Sequence, residues 1–319
     1  MRLFILRFAK PGDIEHTLSS RLKVKGLDCP VARATFTAHN LQFTYDRWVW
    51  FSLRKLIMHL HFIKRFLFSI LALVLISGSL LPAVAQESGE HAHWTYEGEE
   101  GPEFWGEIDP QYSLCAVGRA QSPIDIAGGQ GVDLQDITFN YQSSTIQMVN
   151  NGHTIQVSYD AGSSITYNET DYALLQFHFH HPSEHTLAGE AFDMELHLVH
   201  QDTNGGLAVV GVLLQAGEAT NPSLAPIFDN LPTTANEAVA IRGTINAADF
   251  LPAEHLYYTY TGSLTTPPCT QGVRWLVLQE PVEISAEQME AFATLFEMNA
   301  RPVQPLNNRD LLADASAAG

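Results

Sequence analysis

From Gln86 to Gly319 this chain of 319 residues contains no lysine. Only five arginines stand there against 31 acidic residues, a formal balance of −26. A surface of that sign repels nucleic acid and anionic membrane, so neither is a partner for this part of the chain. It keeps the protein soluble and suits salty surroundings. Cysteine is scarce as well, with three in the whole chain, Cys29, Cys115 and Cys269. Long apolar runs are missing too: the run from Phe66 to Ile76 is followed at once by Ser77, Gly78 and Ser79, then Pro82, which argues against a permanent spanning helix. Neither an internal repeat nor a linker interrupts Trp94–Arg309.

The basic residues are concentrated elsewhere. Twelve of the 17 Lys and Arg fall in residues 1–85. Met58 opens a segment with Lys64 and Arg65, the apolar run, and then small residues ending Ala83-Val84-Ala85. That order is a secretory signal, residues 58–85, with cleavage expected after Ala85. A retained anchor is the alternative, and either way the domain lies in the periplasm or is secreted. Because a signal belongs at the start of translation, residues 1–57 read as a leader or gene-model extension ahead of a true start at Met58. Residues 86–92 form a flexible acidic start, 93–312 the folded domain, and 313–319 a frayed tail. With Cys29 set aside, Cys115 and Cys269 are an even pair in an exported chain, which reads as a disulfide; two buried free thiols are the alternative.

Within the domain, short apolar alternations are separated by turn residues: Ile137–Tyr141, Ile146–Asn150, Thr154–Tyr159, Ser164–Tyr167, Leu174–His180 and Met194–His200. Leu207–Gln215, Ile241–Ile245, Leu256–Thr261 and Arg274–Leu278 continue the series. Helical pattern is confined to Leu224–Asn230 and to Ala286–Phe296, the latter capped at Ser285. The expectation is a single, mainly β domain with a few short helices, built on a large, predominantly antiparallel, twisted sheet.

Six of the fourteen histidines lie between Gln176 and His200. In a strand ending at His180, Gln176, His178 and His180 share one face, and Phe177 and Phe179 take the other. In the strand from Met194, Glu195, His197 and Val199 share a face. The short connection through Gly189 lets the two strands pair antiparallel, so His178, His180 and His197 can converge. Three neutral imidazoles with an open fourth position are the ligand set of a catalytic zinc ion, whereas structural sites usually close with cysteine. Gln176 and Glu195, each two residues before a ligand, are placed to hold a ring N–H. His181 and His200 fall on the opposite faces and His185 lies beyond Pro182, so these three read as structural hydrogen-bonding residues.

Q-F-H-F-H, P-S-E-H and E-L-H-L-V-H, with G-S-L-T-T-P-P at Gly262–Pro268, resemble the alpha-class carbonic anhydrases, most closely the secreted bacterial members. The resemblance runs from about Trp94 to Arg309 and implies reversible hydration of CO2 to bicarbonate and a proton by hydroxide held on Zn2+. It implies that Thr265 accepts the hydroxide's hydrogen and Glu184 takes the threonine's proton. Thr266 would touch bicarbonate, and Val199, Val209, Leu264 and Trp275 would form the apolar wall for CO2. His153, in Asn-Asn-Gly-His, matches the family's proton shuttle, although the same run also reads as a hairpin turn. Tyr96 matches a tyrosine that orders the site's water. Relatives pair cysteines at positions 115 and 269, and Cys269 follows the Pro-Pro of the active-site loop. Partners would be small molecules only (CO2, water and bicarbonate), with no membrane insertion after signal cleavage and a monomer or homodimer as the assembly. His181, where vertebrate members have tryptophan, and Gln156, where they often have asparagine, are departures that leave the chemistry in place. A non-catalytic binding module and a zinc hydrolase of esters or amides are the rival readings. All three zinc histidines, Thr265 and Glu184 argue against the first; no further carboxylate on the ligand faces argues against the second.

Overall fold

The computed structural model describes residues 92–315, so the expected leader, the signal segment and the acidic start except Ala92 lie outside the described residues. Among the described residues sixteen strands follow one another: β1 Asp125–Ile126, β2 Gln130–Val132, β3 Thr138–Asn140, β4 Ser144–Asn150, β5 Ile155–Ser158 and β6 Ser164–Tyr167. Next come β7 Thr170–His180, β8 Thr186–Leu187, β9 Glu190–Ala191, β10 Met194–Gln201 and β11 Leu207–Gly217. The last are β12 Ala238–Ile245, β13 Tyr257–Ser263, β14 Gln271–Leu278, β15 Val282–Ser285 and β16 Leu312–Asp314. Thirteen of them form one sheet whose main path runs β12-β4-β5-β7-β10-β11-β14-β13-β16-β2, and β1, β8 and β9 make a small second one. Most neighbours are antiparallel as expected, but β14 and β15 both join β11 parallel and β2 joins β16 parallel. The sheet is therefore mixed, because strands far apart in sequence meet at its centre.

Strand periodicity divides the interior in two. On one face Phe177, Phe179, Leu196, Leu198, Val210, Val212 and Leu276 join the larger apolar cluster. On the other, Val199, Val209, Leu213, Trp275 and Val277 join a smaller cluster with Tyr260 and Ile124. Strands β10 and β11 are covered on both faces: β11 reads as a nearly continuous apolar run, whereas β10 alternates, with Glu195 and His197 buried on its second face. That double burial locks their register, since a one-residue slip would exchange the two faces.

Helical segments are shorter than the sequence pattern suggests. The helix expected over Leu224–Asn230 spans Ala225–Phe228, with a proline in its first turn. The helix expected over Ala286–Phe296 spans Ala286–Ala293, entered through a capping box between Ser285 and Gln288. Leu295 and Phe296 still pack against the core, so their apolar spacing reflects burial beyond the helix end. At the other end, Ala313 and Asp314 belong to β16 and not to a frayed tail: β16 pairs with β13 and β2, and the Asp314 carboxylate accepts from the Leu134 amide at 3.2 Å. Four short helical turns between Gly98 and Val117 precede the sheet, and Cys115 there is bonded to Cys269.

Candidate metal centre

Two adjacent strands bring the three histidines together. β7 and β10 pair antiparallel with His178 directly opposite His197, and His180 opposite Glu195. One side-chain nitrogen from each of His178, His180 and His197 lies within 4.8 Å of the others. Each ring is held through its second nitrogen, which fixes which nitrogen faces the common point. His178 donates from Nδ1 to Gln176 Oε1 at 2.9 Å, and His180 donates from Nδ1 to the Asn299 carbonyl at 2.8 Å. His197 donates from Nε2 to Glu195 Oε1 at 2.9 Å. A carbonyl or carboxylate oxygen can only accept, so the remaining atoms, Nε2 of His178 and His180 and Nδ1 of His197, carry free lone pairs. Gln176 and Glu195 thus stand where i−2 spacing on one face puts them. Asn299 is a partner that sequence reasoning missed, because it is 119 residues away in a loop with no motif around it.

Burial makes these rings bases in name only. It pushes His178 well below the ordinary imidazole range, helped by His180 and His197. It takes His180 down to about 4 and lowers His197 as well. All three are neutral at neutral pH, the state a metal ligand needs. Nε2 of His180 is buried without a hydrogen-bond partner. So is Oε2 of Glu184, which lies 3.5 Å from that nitrogen and 3.9 Å from His197 Nδ1. Buried polar atoms rarely go unpaired, and three imidazole lone pairs meeting at one place suit a cation there. Three imidazoles without a thiolate fit zinc with an open position better than a closed structural site.

Further hydrogen bonds hold the residues behind these imidazoles. Glu195 Oε1 also accepts from His185 Nδ1 at 2.7 Å, and its Oε2 accepts from the amides of Glu184 and His185 at 2.9 and 2.8 Å. Burial would raise this carboxyl, but His185 and His197 outweigh it and hold it well below the usual carboxylate range. Nε2 of His185 lies 2.7 Å from the Tyr260 hydroxyl, itself 2.8 Å from Ser122 Oγ. His185, Glu195 and His197 also cluster closely enough to suggest a metal, yet their facing atoms are already joined by hydrogen bonds. His185 is therefore structural, as expected, but its structure is that of the site. His200 and His181 are structural too: His200 Nε2 pairs with the Tyr141 hydroxyl, and His181 Nδ1 donates to the Glu297 carbonyl.

Thr265 is buried and favours the charged form of Glu184, as do His197 and the Arg301 amide, which donates to Glu184 Oε1 at 2.8 Å. Burial is stronger than all of these and lifts the Glu184 carboxyl to about 7. Arg301 was not legible in the sequence. Its buried guanidinium donates to Gln121 Oε1 and to the carbonyls of Ser122 and Cys115, and it lies over the Trp105 ring. Thr266 follows Thr265, partly exposed, and its carbonyl accepts from the Cys269 amide at 2.9 Å. The bond from Cys269 to Cys115 thus anchors the far end of this loop. Val199, Val209, Leu264 and Trp275 share one apolar cluster, and the Trp275 ring stands edge-on to His197 with centroids 4.8 Å apart. Gly262 cannot carry a side chain, since a Cβ there would run into Ser122 Oγ.

His153 lies in the turn before β5. Its ring lies flat on Trp94, centroids 3.7 Å apart and planes 7° from parallel. Both line a cleft of about 320 Å³ whose walls include none of the three converging imidazoles. Tyr96 lines the cleft as well; burial and the nearby Glu184 push its hydroxyl well above the ordinary range.

The family model for eukaryotic-type carbonic anhydrase matches residues 100–315. A carbonic anhydrase of Nostoc sp. strain PCC 7120 is 47% identical over 226 residues, covering 68% of this chain and 84% of the relative. A carbonic anhydrase of Neisseria gonorrhoeae is 43% identical over 240 residues, covering 75% and 94%. Among solved structures, the alpha-carbonic anhydrase of Thermovibrio ammonificans in complex with the inhibitor sulfanilamide superposes with a TM-score of 0.68 at 42% identity. That match covers 70% of this chain and 99% of the other.

Proposed function

The chain belongs to the alpha carbonic anhydrase family, the carbonate dehydratases, and from that membership we propose that it hydrates CO2 reversibly at a zinc ion held by His178, His180 and His197. The observation that carries this reading is the meeting of three lone-pair nitrogens within 4.8 Å, each ring oriented by its own partner. Zinc, when bound, would supply Lewis acidity that lowers the pKa of water to about 7 and so would provide a nucleophile at neutral pH.

The chain's own residues do the rest. Gln176, Glu195 and the Asn299 carbonyl keep the ligand rings in one tautomer and one orientation. Thr265 and Glu184 form a directional acceptor: the threonine hydroxyl gives its hydrogen to the carboxylate and then can only accept from the reacting oxygen, which turns that oxygen's free lone pair toward the carbon. Val199, Val209, Leu264 and Trp275 offer CO2 an apolar wall, appropriate for a molecule without charge; Thr266 hydrogen-bonds bicarbonate. His153 removes the proton that each cycle releases; its half-buried position and the open cleft beside it suit transfer to solvent.

Export completes the proposal. Among the described residues no helix is long and apolar enough to cross a membrane. The Cys115–Cys269 bond fits an oxidising compartment. We assign residues 58–85 to a cleaved signal and the enzyme to the periplasm or the medium. The decisive measurement is zinc content of the purified protein together with stopped-flow CO2 hydration before and after chelation. Loss of activity on chelation and its return with zinc is the expected result. Hydration that survives complete metal removal would sink the proposal.

A further inference from the structure

His93 has no part in the reading above, yet it lines the cleft beside His153. It immediately precedes Trp94, whose ring lies flat on His153, and it lines the same cleft as His153. Its side chain is 73% exposed, while His153 is only partly so. His93 Nδ1 lies 2.9 Å from Glu100 Oε2. A carboxylate only accepts, so Nδ1 carries the ring proton and Nε2 is left as the free base. We propose that His93, backed by Glu100, is a second proton station that takes the proton from His153 and hands it to base in bulk solution. The inference rests on His153 acting as the shuttle.

The step balances with N–H bonds alone. A protonated His153 gives its proton through solvent in the open cleft to His93 Nε2, and His153 returns to neutral imidazole. His93 is then an imidazolium whose Nδ1–H still points at the Glu100 carboxylate, a charge-assisted pair. A buffer base removes the Nε2 proton, and the ring is back in its starting tautomer. The groups facing this path are Glu100 across from His93, and Glu97, Glu297 and Tyr96 around the cleft. The three carboxylates favour a travelling positive charge over its absence. Burial lowers the proton affinity of His153, and a charge on His93 opposes one on His153, so the half-buried ring does not hold its proton while the exposed one is charged. The Trp94 stack keeps the two rings on one short stretch of surface.

The test is stopped-flow CO2 hydration by the zinc-loaded full chain, in weakly buffered solution and again with added imidazole. His93→Gln is expected to lower kcat about three- to tenfold in weak buffer, less than the loss of a primary acid–base group, because His153 remains. Its kcat/KM, zinc content and melting temperature should match the parent, and imidazole should restore kcat. In a His153→Ala background, His93→Gln should add nothing. Parent turnover for His93→Gln in weak buffer, with His153→Ala slow, would overturn the relay and leave the shuttle standing. A slow His93→Gln with His153→Ala at parent rate would overturn both. A defect that imidazole cannot rescue would make His93 structural and overturn the relay as well.

Discussion

Gly211 stands in β11 directly opposite His197 of β10. A Cβ at this position would come 3.0 Å from Glu195 Oε1 and 3.4 Å from a Val277 methyl, so the carboxylate must give way by a few tenths of an ångström. Glu195 has little freedom to do so, because its two oxygens accept from His197, His185 and two backbone amides. A shift therefore strains that set and turns the His197 ring with it. Removing such an outer partner typically costs 10–100-fold in metal affinity. Because Gly211→Ala displaces the carboxylate and does not delete it, the expected loss is about tenfold, or ~1.4 kcal/mol. Overpacking should also destabilise the metal-free protein by about 1–3 kcal/mol. Zinc affinity is measured by competition against chelators of graded strength, with urea unfolding of the metal-free protein alongside. Gly131→Ala is the control, since its nearest neighbour would be an alanine methyl 3.9 Å away. Zinc affinity within twofold of the parent for Gly211→Ala would show that Glu195 does not position His197 through this contact.

Acid should weaken the fold through His200, which burial pushes down to about 3. Between the unfolded value near 6.5 and that figure only the unfolded chain takes the proton, so this contribution is whole above pH 6.5 and is lost as pH falls. The slope should approach ~1.4 kcal/mol per pH unit and total about 5 kcal/mol, and parallel urea-derived slopes for the parent and His200→Gln would refute it. Replacing both Cys115 and Cys269 by serine opens a 154-residue loop and should cost about 2–5 kcal/mol. Unfolding free energies equal to within 1 kcal/mol would discount the bond as a brace. The lysine-free acidic surface predicts a melting temperature that rises with salt toward the molar range, where self-repulsion is screened; a flat or falling curve would dismiss it.

Legibility followed the distance over which each feature is determined. Strand alternation put His178, His180 and Gln176 on one face and Glu195 and His197 on another, and the register delivers them together. The capping box at Ser285 was equally local. The reach of helix Ala286–Ala293 was overdrawn because apolar spacing reports burial, and Phe296 packs half-buried against the core without being helical. Strand β16 escaped notice because three residues, Leu312–Asp314, carry no pattern until β13 and β2 flank them. Arg301 and Asn299 were invisible for a different reason. Each binds partners more than a hundred residues away, and nothing in their neighbourhood marks a buried guanidinium or a ligand-holding carbonyl.

Sequence by itself determined the chemistry available here: which imidazoles share a face, which polar residue stands behind His178 and behind His197, and the sign of the surface charge. Those properties depend on spacing along one strand and on composition, and both are local. Tertiary structure alone decided that β11 takes β14 and β15 parallel, that the Asn299 carbonyl holds His180, and that Arg301 ties Glu184 to the segment around Cys115. Such pairings join remote stretches of chain, and only burial of the whole sheet selects among the many partners each stretch could take.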